Sequence, residues 1–299
     1  MRKVALLLDQ ADNAYQQGLV QEARARARRR NIALLEPQFV DGSAMAQMAQ
    51  IFVCGRGETK PDGVMVTLAG SQSQRPACER MVKVGVSLVF LNRIPDYLDD
   101  LRAAAGDALV AGVAPDQVEI GRLQAECCAR LQVSGADGTV LLVTGTPKSA
   151  TATRRLQGFQ QAAQLQVQAE VVEGHWTEES GYRAVLGWLR LAMGRERQLG
   201  VVVCQNDLMA RGARRALVKH ATSHDQKELA RVPIVGCDGL PAEGRQMVDD
   251  GELVATVVLP PTSGRAIDVL AGFWEYGSRA DLVLLPPDAY PPLAQLKVG

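Results

Sequence analysis

The chain has 299 residues, 47% of them hydrophobic, with 33 Lys and Arg balanced by 33 Asp and Glu. That length exceeds the usual single core, so two domains are expected, and the charge balance excludes a dedicated nucleic-acid binder. No apolar run approaches the roughly 18 residues of a membrane helix, which excludes membrane insertion.

The chain opens "MRKVALLLDQADN", in which "VALLL" reads as a first buried strand. The run is too short for a secretory h-region and has no small-residue cleavage site after it. A cytoplasmic chain is expected, or a periplasmic one whose leader has been removed. The next helix carries "QEARARARRR", Gln21 to Arg30, without interleaved aromatics, the pattern of a solvated helix face.

Strands then follow at "GVMVTL", "VSLVFL", "ALVAGV", "TVLLVT", "QAEVV", "LGVVVC", "VPIVG" and "LVATVVL". Short apolar runs without alternation must be covered on both faces, as in parallel sheets. The segments between them have helical spacing: Val118, Leu123, Cys127 and Leu131 form one stripe, and Ala184, Leu186, Leu189 and Ala192 lie in another helix. This alternation is an α/β signature. No low-complexity linker or short repeat separates two halves, so ordered chain crosses any domain boundary.

Chemical motifs are missing where they would be diagnostic. "DQADNAYQQG" has no early glycine, and Asp9 and Asp12 would repel a pyrophosphate. "TGTPKSATATRR" lacks the second glycine of a P-loop. His220 and His224 are four apart but have no zinc-protease glutamate, and read as an exposed helix end. The six cysteines, Cys54, Cys78, Cys127, Cys128, Cys204 and Cys237, form no CxxC pair, and fit reduced thiols in a reducing compartment. No Gly-x-Ser-x-Gly elbow occurs. No catalytic residue, metal site or cofactor is expected.

Polar and aromatic residues instead recur just beyond apolar strands. Asp9, Asn13 and Tyr15 follow the first; Asn92 and Arg93 follow "VSLVFL"; Arg154 and Arg155 follow "TVLLVT". Trp176 follows "QAEVV", Asn206 and Asp207 follow "LGVVVC", and Asp238 follows "VPIVG". The carboxyl ends of strands are where open α/β sheets bind ligands. Carboxylates, amides and guanidinium groups match vicinal hydroxyls, and an aromatic plate covers the C–H face of a sugar ring. The competing reading is local: Asn206 or Asp207 caps a helix, Asp238 caps a turn, and Arg155 pairs with a surface acid.

The chain resembles the type I periplasmic binding protein superfamily, in its sugar-binding branch, which includes ribose-binding protein and the effector domains of lactose-repressor-type regulators. The marks are "GVMVTLAG", "VFLNR", "VAPDQVEIGRLQAE", "TRRLQGFQQA", "VVVCQNDLMARGARRAL", "VPIVGCDGLP" and "GELVATVVLPP", in family order over nearly the whole chain. The resemblance implies two Rossmann-like lobes with parallel sheets, joined by a three-strand hinge, with ligand trapped between them. The lobes would be 1–113 with 260–282 and 114–259 with 283–299. Asn13 and Tyr15 match first-turn contacts, Asn92 with Arg93 the usual Asp-Arg, and Arg155 the arginine before Gly-Phe. Trp176 matches an aromatic wall, Asn206 the Asn of Asn-Asp, and Asp238 the Asp of Phe-Asp-Gly. Asn206 would then face ligand while Asp207 caps the helix.

Three positions depart from the family pattern: Asp9 replaces a small polar residue, Cys237 an aromatic and Leu259 a frequent glutamine. They point away from an ordinary pentose or hexose. The resemblance implies a non-enzymatic binding protein for a sugar or polyol. It would serve an ABC-type transporter, with a permease as partner, or a regulator, with a fused or partner signalling module. An enzyme on the same fold is the alternative. No helix-turn-helix precedes the first strand, so no direct contact with nucleic acid is expected.

Overall fold

The computed structural model describes residues 1–56, 60–70, 73–133, 138–147, 149–162, 169–192 and 198–296. Lys148 and Gln168, which fall in segments quoted above, lie outside the described residues. The chain divides into two compact units, Met1–Pro115 with Pro261–Leu285, and Asp116–Pro260 with Pro286–Gly299.

The first unit opens with β1 (Lys3–Leu8), β2 (Ala33–Leu34), β3 (Gln38–Phe39), β4 (Gly63–Val66), β5 (Ser87–Leu91) and β6 (Val110–Pro115). The second holds β7 (Thr139–Thr144), β8 (Ala169–Glu173), β9 (Leu199–Cys204), β10 (Ile234–Asp238) and β11 (Ala255–Val258). The chain then returns to the first unit for β12 (Leu282–Leu285) and ends in the second with β13 (Asp288–Tyr290).

The first sheet has the order β12-β6-β5-β4-β1-β2, with β3 also on β1, and every pairing is parallel. The second has the order β13-β11-β10-β9-β7-β8, parallel except for β13 on β11. The nine strands read from the sequence are all present. Those not foreseen are short or at a sheet edge: β2 and β3 have two residues each, too few for periodicity, and β12 leaves Leu282 and Leu284 exposed. Because β12 pairs Leu282 to Gly112 and Leu285 to Pro115, both strands stay whole in the first unit. The expected boundaries at 113 and 282 would have cut through them.

Alternate residues of β1 serve opposite faces, as the pleat requires. Val4, Leu6 and Leu8 pack with Leu19, Ala23, Ile267 and Leu270 from flanking helices. Ala5 and Leu7 pack on the other side with Ile51, Met81 and Tyr97. In the second unit, Leu141, Val143 and Val202 face Leu189, Met209 and Ala213, while Val140, Leu142 and Val203 face Cys127, Cys128 and Phe159. Both sheets are covered on both faces, which is why their strands read as continuous apolar runs. In each unit the strand order reverses beside the first strand, between β1 and β4 and between β7 and β9. Such a reversal opens a crevice at the carboxyl ends of the strands.

Candidate functional site

At the carboxyl end of β1 the backbone is caught by a buried side chain. Gln16 Oε1 accepts from the N–H groups of Asp9 (2.8 Å) and Gln10 (3.2 Å). This folds the loop back to Asn13, which caps the helix Ala14–Arg29 by accepting from Gln16 N–H at 3.1 Å. Asp9 is left 7% exposed, with its Oδ1 buried and unpartnered. Burial pushes its pKa up, against the lowering field of Arg93 and a hydrogen bond from the Gly42 backbone. Arg93 is exposed and holds the Leu68 carbonyl at 3.3 Å.

Asn92 adopts a φ of 64°, a left-handed conformation that asparagine tolerates better than most residues. Its Oδ1 accepts from the Tyr15 hydroxyl (3.0 Å) and the Thr262 hydroxyl (2.9 Å). The oxygen of Asn92 is thereby spent, and its amide N–H groups remain as donors. Asp9, Asn13, Tyr15, Asn92 and Arg93 all belong to this strand-end face of the first unit.

The second unit builds its face around Arg155, which is 4% exposed. Its Nε donates to Gln117 Oε1 at 2.8 Å, Nη1 donates to the Gln205 carbonyl, and the guanidinium stands 5.8 Å from the Trp176 ring centroid. The helices Gln117–Val133 and Ala150–Ala162 approach so closely that a Cβ on Gly158 would stand 1.9 Å from the Val118 carbonyl oxygen. Only glycine permits that contact, and it brings Arg155 to Gln117.

Trp176 has a φ of 66°, unfavourable for a bulky residue. Two contacts hold it there. Its carbonyl accepts from Asn206 Nδ2 at 2.9 Å, and its indole lies over Gly145, where an added Cβ would stand 1.9 Å from the ring. Asp238 also has a positive φ, 113°, and is half-buried. Its carboxylate and Arg155 interact without an ion pair among the described residues. Burial raises the Asp238 pKa while Arg155 opposes the rise. Arg154, expected beside Arg155, is exposed.

The structure moves the expected cap by one residue, from Asp207 to Asn206. Asn206 is the N-cap of the helix Asp207–His224, accepting from Met209 N–H at 2.9 Å. Its extended backbone (φ −152°) points the short amide back at the first turn, as capping requires. Asp207 is already inside the helix and 2% exposed, accepting from the Gly239 N–H (2.8 Å) and the Thr256 hydroxyl (2.7 Å).

Two departures from the family pattern also change meaning. Cys237 is fully buried among Ile120, Leu123 and Val257, with Leu259 packed on the same cluster. Both pack on the core, whereas Asp9 lies at the carboxyl end of β1. His220, expected at an exposed helix end, is 3% exposed and stacks on His224 with centroids 4.0 Å apart. No group of three or more metal-ligating side chains occurs among the described residues.

The residues missed from the sequence are chiefly glutamines. Gln205 Oε1 accepts from Gly145 N–H (2.8 Å) and its amide donates to the Ala152 carbonyl (3.1 Å), tying the end of β7 to β9. Gln16 does the same for β1. A buried glutamine has no signature that distinguishes it from a surface one, because its role depends on distant backbone.

Asp9, Asp207 and Asp238 all hold pKa values above the ordinary 3.8. For each, burial is the largest cause. A folded state that keeps protons the unfolded chain releases loses stability as pH rises from about 4 through the raised values. The melting temperature of the unliganded protein is therefore expected to fall over that range, and Asp238→Asn to flatten the decline. Parallel melting curves for wild type and variant across pH would remove Asp238 from this linkage.

A profile described as a periplasmic binding protein domain matches residues 4–267. No curated protein is a detectable sequence relative of the chain. Among solved structures, an ABC transporter periplasmic solute binding protein from Actinobacillus succinogenes with bound D-allose is similar at 22% identity and TM-score 0.78, covering 97% of each chain. A structure described as a periplasmic ribose ABC transporter, from Conexibacter woesei, is 22% identical with TM-score 0.81, over 96% of this chain and 91% of that one. A Caulobacter myo-inositol binding protein with bound myo-inositol is 19% identical with TM-score 0.72, over 96% and 92%.

Proposed function

This chain belongs to the periplasmic binding protein domain family, and on that premise we propose that it binds a small sugar or polyol without converting it, as the solute-binding component of an ABC-type transporter. The observation that carries the proposal is the pair of strand-end faces. The first offers Asp9 as acceptor and the Asn92 amide and Arg93 as donors. The second offers Arg155 and Asp238 beside the Trp176 ring. Asn13, Tyr15 and Asn206 hold loop, strand end and helix entry in place beside these groups. This mixture of donors, acceptors and one aromatic plate suits a neutral polyhydroxylated molecule. Similar structures that hold D-allose and myo-inositol support the same ligand class.

A permease partner and a periplasmic location follow from the transport role. The cysteines do not oppose that location. All six are free and buried, and burial raises every thiol pKa, so little nucleophilic thiolate is present and the thiols are poorly reactive. Among the described residues no helix is long and apolar enough to cross a membrane.

Ligand is expected to change the tryptophan emission, because Trp176 is half-buried at a strand-end face. Titrating D-allose, D-ribose and myo-inositol against wild type and Trp176→Phe tests this. A wild-type fluorescence change that is lost in Trp176→Phe supports the proposal. An identical change in the variant takes Trp176 out of the site.

A further inference from the structure

The second unit also carries a groove of about 560 Å³, lined by Tyr182, Arg211, Arg214, Arg215, Val218, Lys219 and Glu252, none of them among the strand-end residues above. Five of these lie on the helix Asp207–His224, where Arg211, Arg215 and Lys219 recur at four-residue spacing and so share one face. Arg214 is spent on the carbonyls of Glu252 (2.9 Å) and Ala230 (2.7 Å), and forms a fixed wall. Arg215 is paired with Glu178 at 2.5 Å and stands 5.1 Å from the Tyr182 centroid. Lys219 stands 5.7 Å from the same ring, and among the described residues neither Lys219 nor Arg211 has an acidic partner within ion-pair distance. Val218 is 44% exposed. The groove therefore sets aromatic and aliphatic surface, Tyr182 and Val218, beside two cations that have no ion-pair partner among the described residues.

Arg211 and Lys219 are eight residues apart, which along a helix is about 12 Å. A single phosphate or carboxylate does not bridge that distance. An extended polypeptide does so in about four residues at ~3.3 Å each. Glu252, which lines the groove, would repel the continuous charge of a nucleic-acid strand but tolerates carboxylates placed at the two cations.

We propose that this groove docks an extended acidic segment of a partner protein, with two carboxylates about four residues apart and an apolar side chain between them. The carboxylates meet Arg211 and Lys219, and the apolar residue rests on Tyr182 and Val218.

A fluorescein-labelled peptide containing Glu-Ala-Leu-Ala-Glu, its Lys-Ala-Leu-Ala-Lys counterpart and a labelled oligo-dT are titrated with the full chain and followed by anisotropy. The expected result is saturable binding of the acidic peptide, weakened by salt, with no binding of the lysine peptide. The Arg211→Glu, Lys219→Glu double variant is expected to bind the acidic peptide at least about tenfold more weakly, as reversal of two contact charges implies. Lys219→Glu alone, at an exposed position, is the control should the double variant melt early, and is expected to weaken binding by about threefold or more. No binding of the acidic peptide, unchanged binding by folded variants, or tighter binding of oligo-dT would each overturn the proposal.

Discussion

Asp207→Ala is expected to lower the unfolding free energy by roughly 2–5 kcal/mol, since it strips the acceptors from two buried donors. Those donors are the Gly239 N–H and the Thr256 hydroxyl, which tie the start of the helix Asp207–His224 to the end of β10 and to β11. The carboxylate fills a closed pocket. A Cβ on Gly236 would stand 2.1 Å from its Oδ1, and one on Gly244 1.9 Å from its Oδ2. Nothing larger enters to replace the lost oxygens. Asp207→Asn is expected to lose much less, because the Thr256 hydroxyl rotates to accept from the new amide while the remaining oxygen keeps Gly239. Thermal and urea unfolding of both variants checks this. Equal losses in the two would show that shape, not hydrogen bonding, holds this junction.

Arg155→Ala is expected to weaken ligand binding by roughly 10- to 100-fold, the size of a lost charge-assisted hydrogen bond to a buried polar ligand group. It also removes the donor from Gln205 and Gln117, so some stability goes with it. Arg155→Lys separates the two effects. Lysine keeps the charge facing Asp238 and Trp176, but its single nitrogen does not reproduce the planar fork that reaches both Gln117 and Gln205. The lysine variant is expected to recover part of the stability and little of the affinity. Calorimetric affinity read beside the melting temperature decides it, and an alanine variant that binds as wild type does would confine Arg155 to a structural role.

Much of the fold is readable because its strands are buried on both faces: runs such as Val201–Cys204 have no other stable setting. The strand-end positions are readable for the same reason, since the apolar run stops where the sheet does. Local chemistry at those ends is less readable. Asn206 and Asp207 are both good capping residues, and the choice between them turns on backbone at Gly239 and on Thr256, 32 and 49 residues from Asp207 in sequence. Cys237 lies beside Asp238, yet it packs with Ile120 and Leu123, because adjacent strand residues face opposite ways. Gln16 and Gln205 organise both faces through backbone atoms that no residue-type pattern specifies. Asp9 is the converse case. Its acid side chain after an apolar strand stands out in the sequence, and its buried, unpartnered oxygen marks it again in the structure.

The most direct test of ligand binding by the strand-end faces is a calorimetric titration of the purified full chain with D-allose, D-ribose and myo-inositol, repeated on Arg155→Ala. The expected result is saturable binding of one ligand per chain for at least one of the three, at micromolar affinity, and loss of most of that affinity in the variant. A folded wild type that takes up none of them, or one whose affinity is untouched by the loss of Arg155, would contradict it.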